Sequence, residues 1–195
     1  MPMPSSRKAT RPGRSAVIFD RDGVLNVDHG YVGDPERLEW VEGARRAIRR
    51  LNELGVLAIV ATNQSGVARG MFDLAAVDEV HAVMQADLAV DGARIDAFYV
   101  CPFLPDAATP KFAHPDHPDR KPNPGMLLRA IEEWAVDPSL CLVVGDKESD
   151  LAAARRAGIA GVLFQGGSLD DFLQPLIPRE TKRNPKLLAQ AGASS

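Results

Sequence analysis

Cysteine is scarce in this 195-residue chain: Cys101 and Cys141 are the whole complement. Two thiols in separate apolar runs make no disulfide framework, and they fit a reducing compartment. Long apolar runs are missing as well; none approaches the ~20 residues of a membrane-spanning helix. The basic surplus of a dedicated nucleic-acid binder is also lacking, because the net charge is −3. The first 14 residues set Arg7, Lys8, Arg11 and Arg14 among Ser, Pro and Gly without the apolar stretch of a secretory signal. A cytoplasmic protein is therefore expected, with no membrane or nucleic-acid partner. Repeats and low-complexity tracts are absent. What remains is 45% hydrophobic and 25% charged residues, the composition of one globular domain with a full core.

The chain reads as an alternation of strands and helices. Residues 1–14 are expected to form a flexible arm, 15–184 a single domain and 185–195 a flexible tail. Apolar runs at 15–20, 56–61, 95–100, 140–144 and 161–164 are predicted strands. Between them, 42–54 repeats Ala44, Ile48, Leu51 and Leu54 at helical spacing before Gly55 stops the helix. Asp73 caps a second helix with Val77, Val80, Met84 and Leu88 on one stripe. A third opens at Asn123 or Pro124 and turns Leu127, Ile131 and Trp134 inward; a fourth runs through Leu151 and Ala154 to Gly158. Five strands alternating with helices imply an α/β fold: a three-layer, doubly wound parallel sheet. Residues 23–41 and 102–122 are long loops, the second rich in proline.

Polar clusters follow the predicted strands. Phe19-Asp20-Arg21-Asp22-Gly23 ends the first and Thr62-Asn63-Gln64-Ser65-Gly66 the second. Gly145-Asp146-Lys147 ends the fourth, and Arg120-Lys121-Pro122 precedes a helix. Alone, each is explained as well by a turn or a cap. Together, at the edge where open α/β sheets place their sites, three acids, a hydroxyl and a lysine are what phosphoryl transfer requires.

These strings resemble the haloacid dehalogenase-like superfamily of aspartate-nucleophile phosphatases over residues 16–165. With Asp28-His29-Gly30-Tyr31-Val32 and Gln64 to Gly70 added, they resemble the branch of heptose bisphosphate and histidinol-phosphate phosphatases. The resemblance implies a Rossmann-like fold and a Mg²⁺-dependent phosphoric monoester hydrolase. Asp20 would be the nucleophile, forming an aspartyl-phosphate. Asp22 would serve as acid and then base, while Thr62, the Asn63 backbone and Lys121 bind phosphoryl oxygens. Asp20, Asp146 and the Asp22 carbonyl would hold Mg²⁺, with Asp150 a cap or supporting acid.

No gap between motifs leaves room for a separate cap domain, so specificity must come from loops. Asp28, His29, Tyr31, Gln64, Arg69, Arg120 and Lys147 are the expected substrate contacts, with Arg120 facing a second phosphate or sugar hydroxyls. The first-choice substrate is D-glycero-D-manno-heptose 1,7-bisphosphate, cleaved at the 7-phosphate for lipopolysaccharide or capsule heptose, by a monomeric enzyme. Histidinol phosphate is the alternative. A polynucleotide 3′-phosphatase would call for a P-loop and a basic surface, and a phospho-receiver would carry an Asp after the third strand, where Cys101-Pro102 stands.

The long loop departs from the branch. Relatives there commonly hold a structural Zn²⁺ through Cys-x-His and Cys-x-Cys, whereas this chain has Cys101-Pro102-Phe103 and His117-Pro118-Asp119. Cys101, His114, His117 and Asp119 retain donors for zinc, but a metal-free loop propped by prolines is the expectation.

Overall fold

The computed structural model of the protein describes residues 13–177. The expected tail lies outside the described residues, as does the expected arm up to residue 12. Arg14, placed in that arm, instead opens the first strand.

Five strands form one parallel sheet in the order β3-β2-β1-β4-β5: β1 Arg14–Phe19, β2 Leu57–Asn63, β3 Ala97–Cys101, β4 Val136–Gly145 and β5 Ala160–Leu163. β1 is central, with Phe19 level with Val60 of β2 and Val144 of β4. Side chains alternate across it, so Val17 and Phe19 join one core and Ala16 and Ile18 the other. Both faces are covered, which is why the strands read as unbroken apolar runs rather than alternating ones.

The Phe19 face packs against α1 (Ala44–Leu54), α3 (Leu74–Val90) and α6 (Leu169–Leu173). The Ile18 face packs against α4 (Gly125–Trp134) and α5 (Glu148–Ala157). In α1, Ala44, Ala47, Ile48 and Leu51 are buried at helical spacing, and Gly55 ends the helix in the left-handed region at φ 73°. The Asp73 carboxylate accepts from the Ala76 N–H at 2.9 Å, capping α3. Two short helices add to the expected elements: α2 (Ser65–Ala68) inside the stretch after β2 that was read as a polar loop, and α6 near the end, where no element was assigned. β4 starts four residues earlier than the apolar run, at Val136.

Cys101 and Cys141 are buried on β3 and β4, with β2 and β1 between them. Three strand spacings of ~4.8 Å put them far beyond disulfide reach. No helix among the described residues is long and apolar enough to cross a membrane. Residues 20–43 and 102–124 lie as loops with single 3₁₀ turns at Pro35–Arg37 and Pro110–Phe112.

Candidate active site

Asp20 follows the last residue of β1, and its backbone N–H bonds the Val144 carbonyl at 2.9 Å, fixing it beside the end of β4. Asp146 follows the last residue of β4, and Asp150 sits in the first turn of α5. Carboxylate oxygens of Asp20, Asp146 and Asp150 all lie within 4.8 Å of one another. Lys121, from the loop before α4, reaches the same point. Its Nζ is 3.1 Å from Asp20 Oδ1, 2.6 Å from Asp150 Oδ1 and 2.8 Å from the Ala61 carbonyl. Asn63 secures that loop: its side-chain amide donates to the Lys121 carbonyl at 3.0 Å and accepts from the Lys121 N–H at 3.1 Å.

The electrostatics follow from burial. Burial pushes the Asp20 carboxyl up to about 6, with Lys121 pulling it down and Asp150 pushing it further up. Burial alone would lower the Lys121 ammonium, but Asp20 and Asp150 outweigh it and hold the group above its ordinary value. Asp146 is also raised, by burial first, against the pull of Lys147. Three carboxylates against one buried ammonium leave two negative charges. One carboxylate oxygen of Asp146 is buried without a hydrogen-bond partner among the described residues. An all-oxygen donor set with that surplus fits one hard divalent cation.

Asp22 stands beside this cluster in a cradle of donors. Arg21 Nε and Nη2 donate to its Oδ1 at 3.2 and 3.0 Å, and Nη2 to its Oδ2 at 3.1 Å. Asn26 Nδ2 donates to Oδ1 at 3.0 Å and Gln64 Nε2 to Oδ2 at 2.7 Å. Arg21 is 0% exposed, and its Nη2 also donates to the Val32 carbonyl at 2.5 Å. Asp20, Asp22, Asp28, Tyr31, Asn63, Gln64, Ser65, Arg120, Lys121, Lys147, Ser149 and Asp150 line one cleft of about 490 Å³ with Gly30.

A protein-family model described as "HAD-hyrolase-like" matches residues 119–186. The D-glycero-beta-D-manno-heptose-1,7-bisphosphate 7-phosphatase of Rhodopseudomonas palustris is 42% identical over 170 residues, 87% of this chain and 93% of that protein. The chain belongs to the HAD-like phosphatases. The enzyme of the same name from Escherichia coli is 39% identical, over 74% of this chain and 75% of its own. Among solved structures, the D,D-heptose 1,7-bisphosphate phosphatase of B. bronchiseptica, complexed with magnesium and phosphate, superposes with a TM-score of 0.70. It is 35% identical and covers 91% of this chain and 97% of its own. The parallel five-stranded sheet with helices on both faces is the fold of these relatives.

Not every expected contact faces the cleft of this HAD-like phosphatase. His29 turns away: its ring bonds Glu39 at 2.8 Å, in a separate shallow depression. Arg69 does not line the cleft either; its guanidinium lies 5.8 Å over the Tyr31 ring and backs that residue. Thr62 is 1% exposed, beneath the cleft floor, and its hydroxyl accepts from Gln64 Nε2 at 2.9 Å. Asp28, Tyr31, Arg120 and Lys147 do reach the cleft. Lys147 Nζ lies 3.3 Å from Asp28 and 3.5 Å from Asp146. Arg120 bonds Ser65 Oγ at 3.0 Å and the Phe103 carbonyl at 2.9 Å.

Cys101, His114, His117 and Asp119 do not gather into a ligand set: the acidic trio is the one such group among the described residues. His117 is stacked on Phe103 at 3.8 Å, and its Nδ1 accepts from the Asp119 N–H at 3.1 Å. His114 Nδ1 accepts from the Asp116 N–H at 3.2 Å, and the Asp119 carboxylate pairs with Arg129 at 3.0 Å. Nδ1 of both histidines and the Asp119 carboxylate thus have local partners within the loop.

The sequence assigned no role to Arg21 and Asn26, which carry Asp22, or to Ser149, which lines the cleft beside Ser65 of the second motif. Gly23 also has a part, at φ 87°, where an added Cβ would overlap the Asp146 carboxylate. The Asp-x-Asp-Gly string held that signal, since only glycine lets the turn pass so close to an acid.

Proposed function

We propose that this phosphatase removes the 7-phosphate of D-glycero-D-manno-heptose 1,7-bisphosphate through an aspartyl-phosphate on Asp20, serving heptose glycoconjugates such as lipopolysaccharide or capsule. The observation that carries the chemistry is the meeting of Asp20, Asp146 and Asp150 opposite Lys121. The substrate rests on identity near 40% to enzymes bearing that name. A bisphosphate also has two anionic ends, and the cleft has cations at two depths: Lys121 at the floor, Arg120 and Lys147 on the walls.

In the first displacement the Asp20 carboxylate attacks phosphorus and the bond to the sugar oxygen breaks, with Asp22 donating a proton to that oxygen. In the second, Asp22 takes a proton from water as it attacks phosphorus, releasing phosphate and Asp20. Lys121 balances charge on the equatorial oxygens. Thr62, just beneath the floor, accepts from Gln64 and so keeps its own proton, which it would offer only to a phosphoryl oxygen seated against the floor between Asn63 and Lys121. Bound Mg²⁺, held by Asp20, Asp146 and the Asp22 carbonyl, supplies the charge that offsets repulsion between carboxylate and phosphate dianion.

The test is phosphate release from the heptose bisphosphate, histidinol phosphate and fructose 1,6-bisphosphate, with metal analysis of the same preparation. The expected result is a kcat/KM at least about 10-fold higher for the heptose bisphosphate. A preference for histidinol phosphate would overturn the substrate.

A further inference from the structure

Gln64 lines the cleft, yet it has no side-chain proton left to offer a substrate. One Nε2 proton goes to Asp22 Oδ2 at 2.7 Å, the other to Thr62 Oγ1 at 2.9 Å. Its Oε1 accepts from Arg21 Nη2 at 3.3 Å. The residue is 2% exposed, and its amide groups are taken up by two members of the proposed machinery and by the arginine that holds one of them. We propose that Gln64, with Arg21 behind it, is a positioning residue that fixes the Asp22 carboxylate for proton transfer and ties its placement to Thr62.

The inference rests on the reading of Asp22 as general acid and base. The physical argument concerns freedom of rotation. An aspartate side chain turns about two bonds, and proton transfer needs its oxygen within hydrogen-bond reach of the leaving atom. Arg21 grips both Asp22 oxygens from one side, and being buried and bonded to the Val32 carbonyl it cannot follow a moving carboxylate. Asn26 adds a second hold on Oδ1. Gln64 reaches Asp22 from a different strand, at the end of β2, so it alone of the donors links the acid to the phosphate-binding side. Removing it leaves Asp22 on its own loop, with donors only from residues 21 and 26.

A proton donor matters most for a poor leaving group, and kcat/KM reports the step in which that group departs. The experiment compares heptose 1,7-bisphosphate, which leaves as an alkoxide unless protonated, with 2,4-dinitrophenyl phosphate, whose phenolate needs no proton. Gln64→Met keeps length and volume. It is expected to lose at least about 10-fold in kcat/KM on the sugar phosphate and no more than about threefold on the aryl phosphate. Asp22→Asn should show the same bias more strongly, and adding Gln64→Met to it should add no further bias. If Asp22→Asn is biased while Gln64→Met loses equally on both substrates, or loses nothing, the positioning role is wrong and the acid reading stands. If Asp22→Asn shows no bias, the acid reading fails and takes this inference with it. Circular dichroism checks the fold of each variant, and Gln64→Glu, which sets a second carboxylate against Asp22, is read by the same criterion should Gln64→Met not fold.

Discussion

Lys121 distributes its ammonium over Asp20, Asp150 and the Ala61 carbonyl, and a buried cation so placed tolerates little loss of partners. Asp150→Ala removes the partner at 2.6 Å and also the acceptor of the Lys147 N–H at the start of α5. A destabilisation of about 3–5 kcal/mol is expected in urea titration; a change below about 1 kcal/mol would show that the ion pair is dispensable. Asp20→Asn keeps an acceptor beside Lys121, so turnover should vanish while the melting temperature stays near wild type. The residues named by motif were legible because each follows the end of an apolar strand. Arg21 was not, because an arginine between two aspartates reads as a solvated charge. Its burial is created by tertiary contacts, with Val32 and Gln64, that no local pattern announces.

At the scale of elements, the loops are pinned by one ring. A Cβ on either Gly33 or Gly66 would overlap the side chain of Phe72, so that ring is wedged between the substrate loop and α2. Phe72→Ala should free the loop carrying Tyr31 and raise KM more than it lowers kcat, with a stability loss of at most about 3 kcal/mol because the ring is only half-buried. An unchanged KM would separate Phe72 from the cleft. Strands and long helices were readable from their periodicity. The helices α2 and α6, of four and five residues, are shorter than the pattern that reveals a helix. His29 was expected on the cleft because it sits beside Asp28 and Tyr31 in sequence, but a left-handed Tyr31, at φ 55°, is part of a loop that sends neighbours in different directions.

For the whole molecule, the order β3-β2-β1-β4-β5 brings the carboxyl ends of β1, β2 and β4 together, which alternating strand and helix signals foretold without fixing the register. Global stability carries a pH signature as well. His81, stacked on Phe98 at 4.1 Å, is driven down to about 3 by burial and by the Arg21 charge. Between its ordinary value of 6.5 and about 3, the unfolded chain binds a proton that the folded chain refuses. Stability is therefore full above 6.5 and is lost as pH falls towards 3, with a slope of at most about 1.4 kcal/mol per pH unit from this group. His81→Phe should flatten that part of the curve between pH 6.5 and 4.5 in denaturant titrations; an identical slope would assign the loss to other groups.

The covalent step is open to direct capture. Asp22→Asn should slow attack of water on the intermediate but not its formation from an aryl phosphate, so that the variant mixed with 2,4-dinitrophenyl phosphate and quenched with borohydride yields homoserine at position 20 on peptide mass spectrometry. An unmodified Asp20 in phosphate-releasing enzyme, or the reduced residue at another carboxylate, would contradict nucleophilic attack by Asp20.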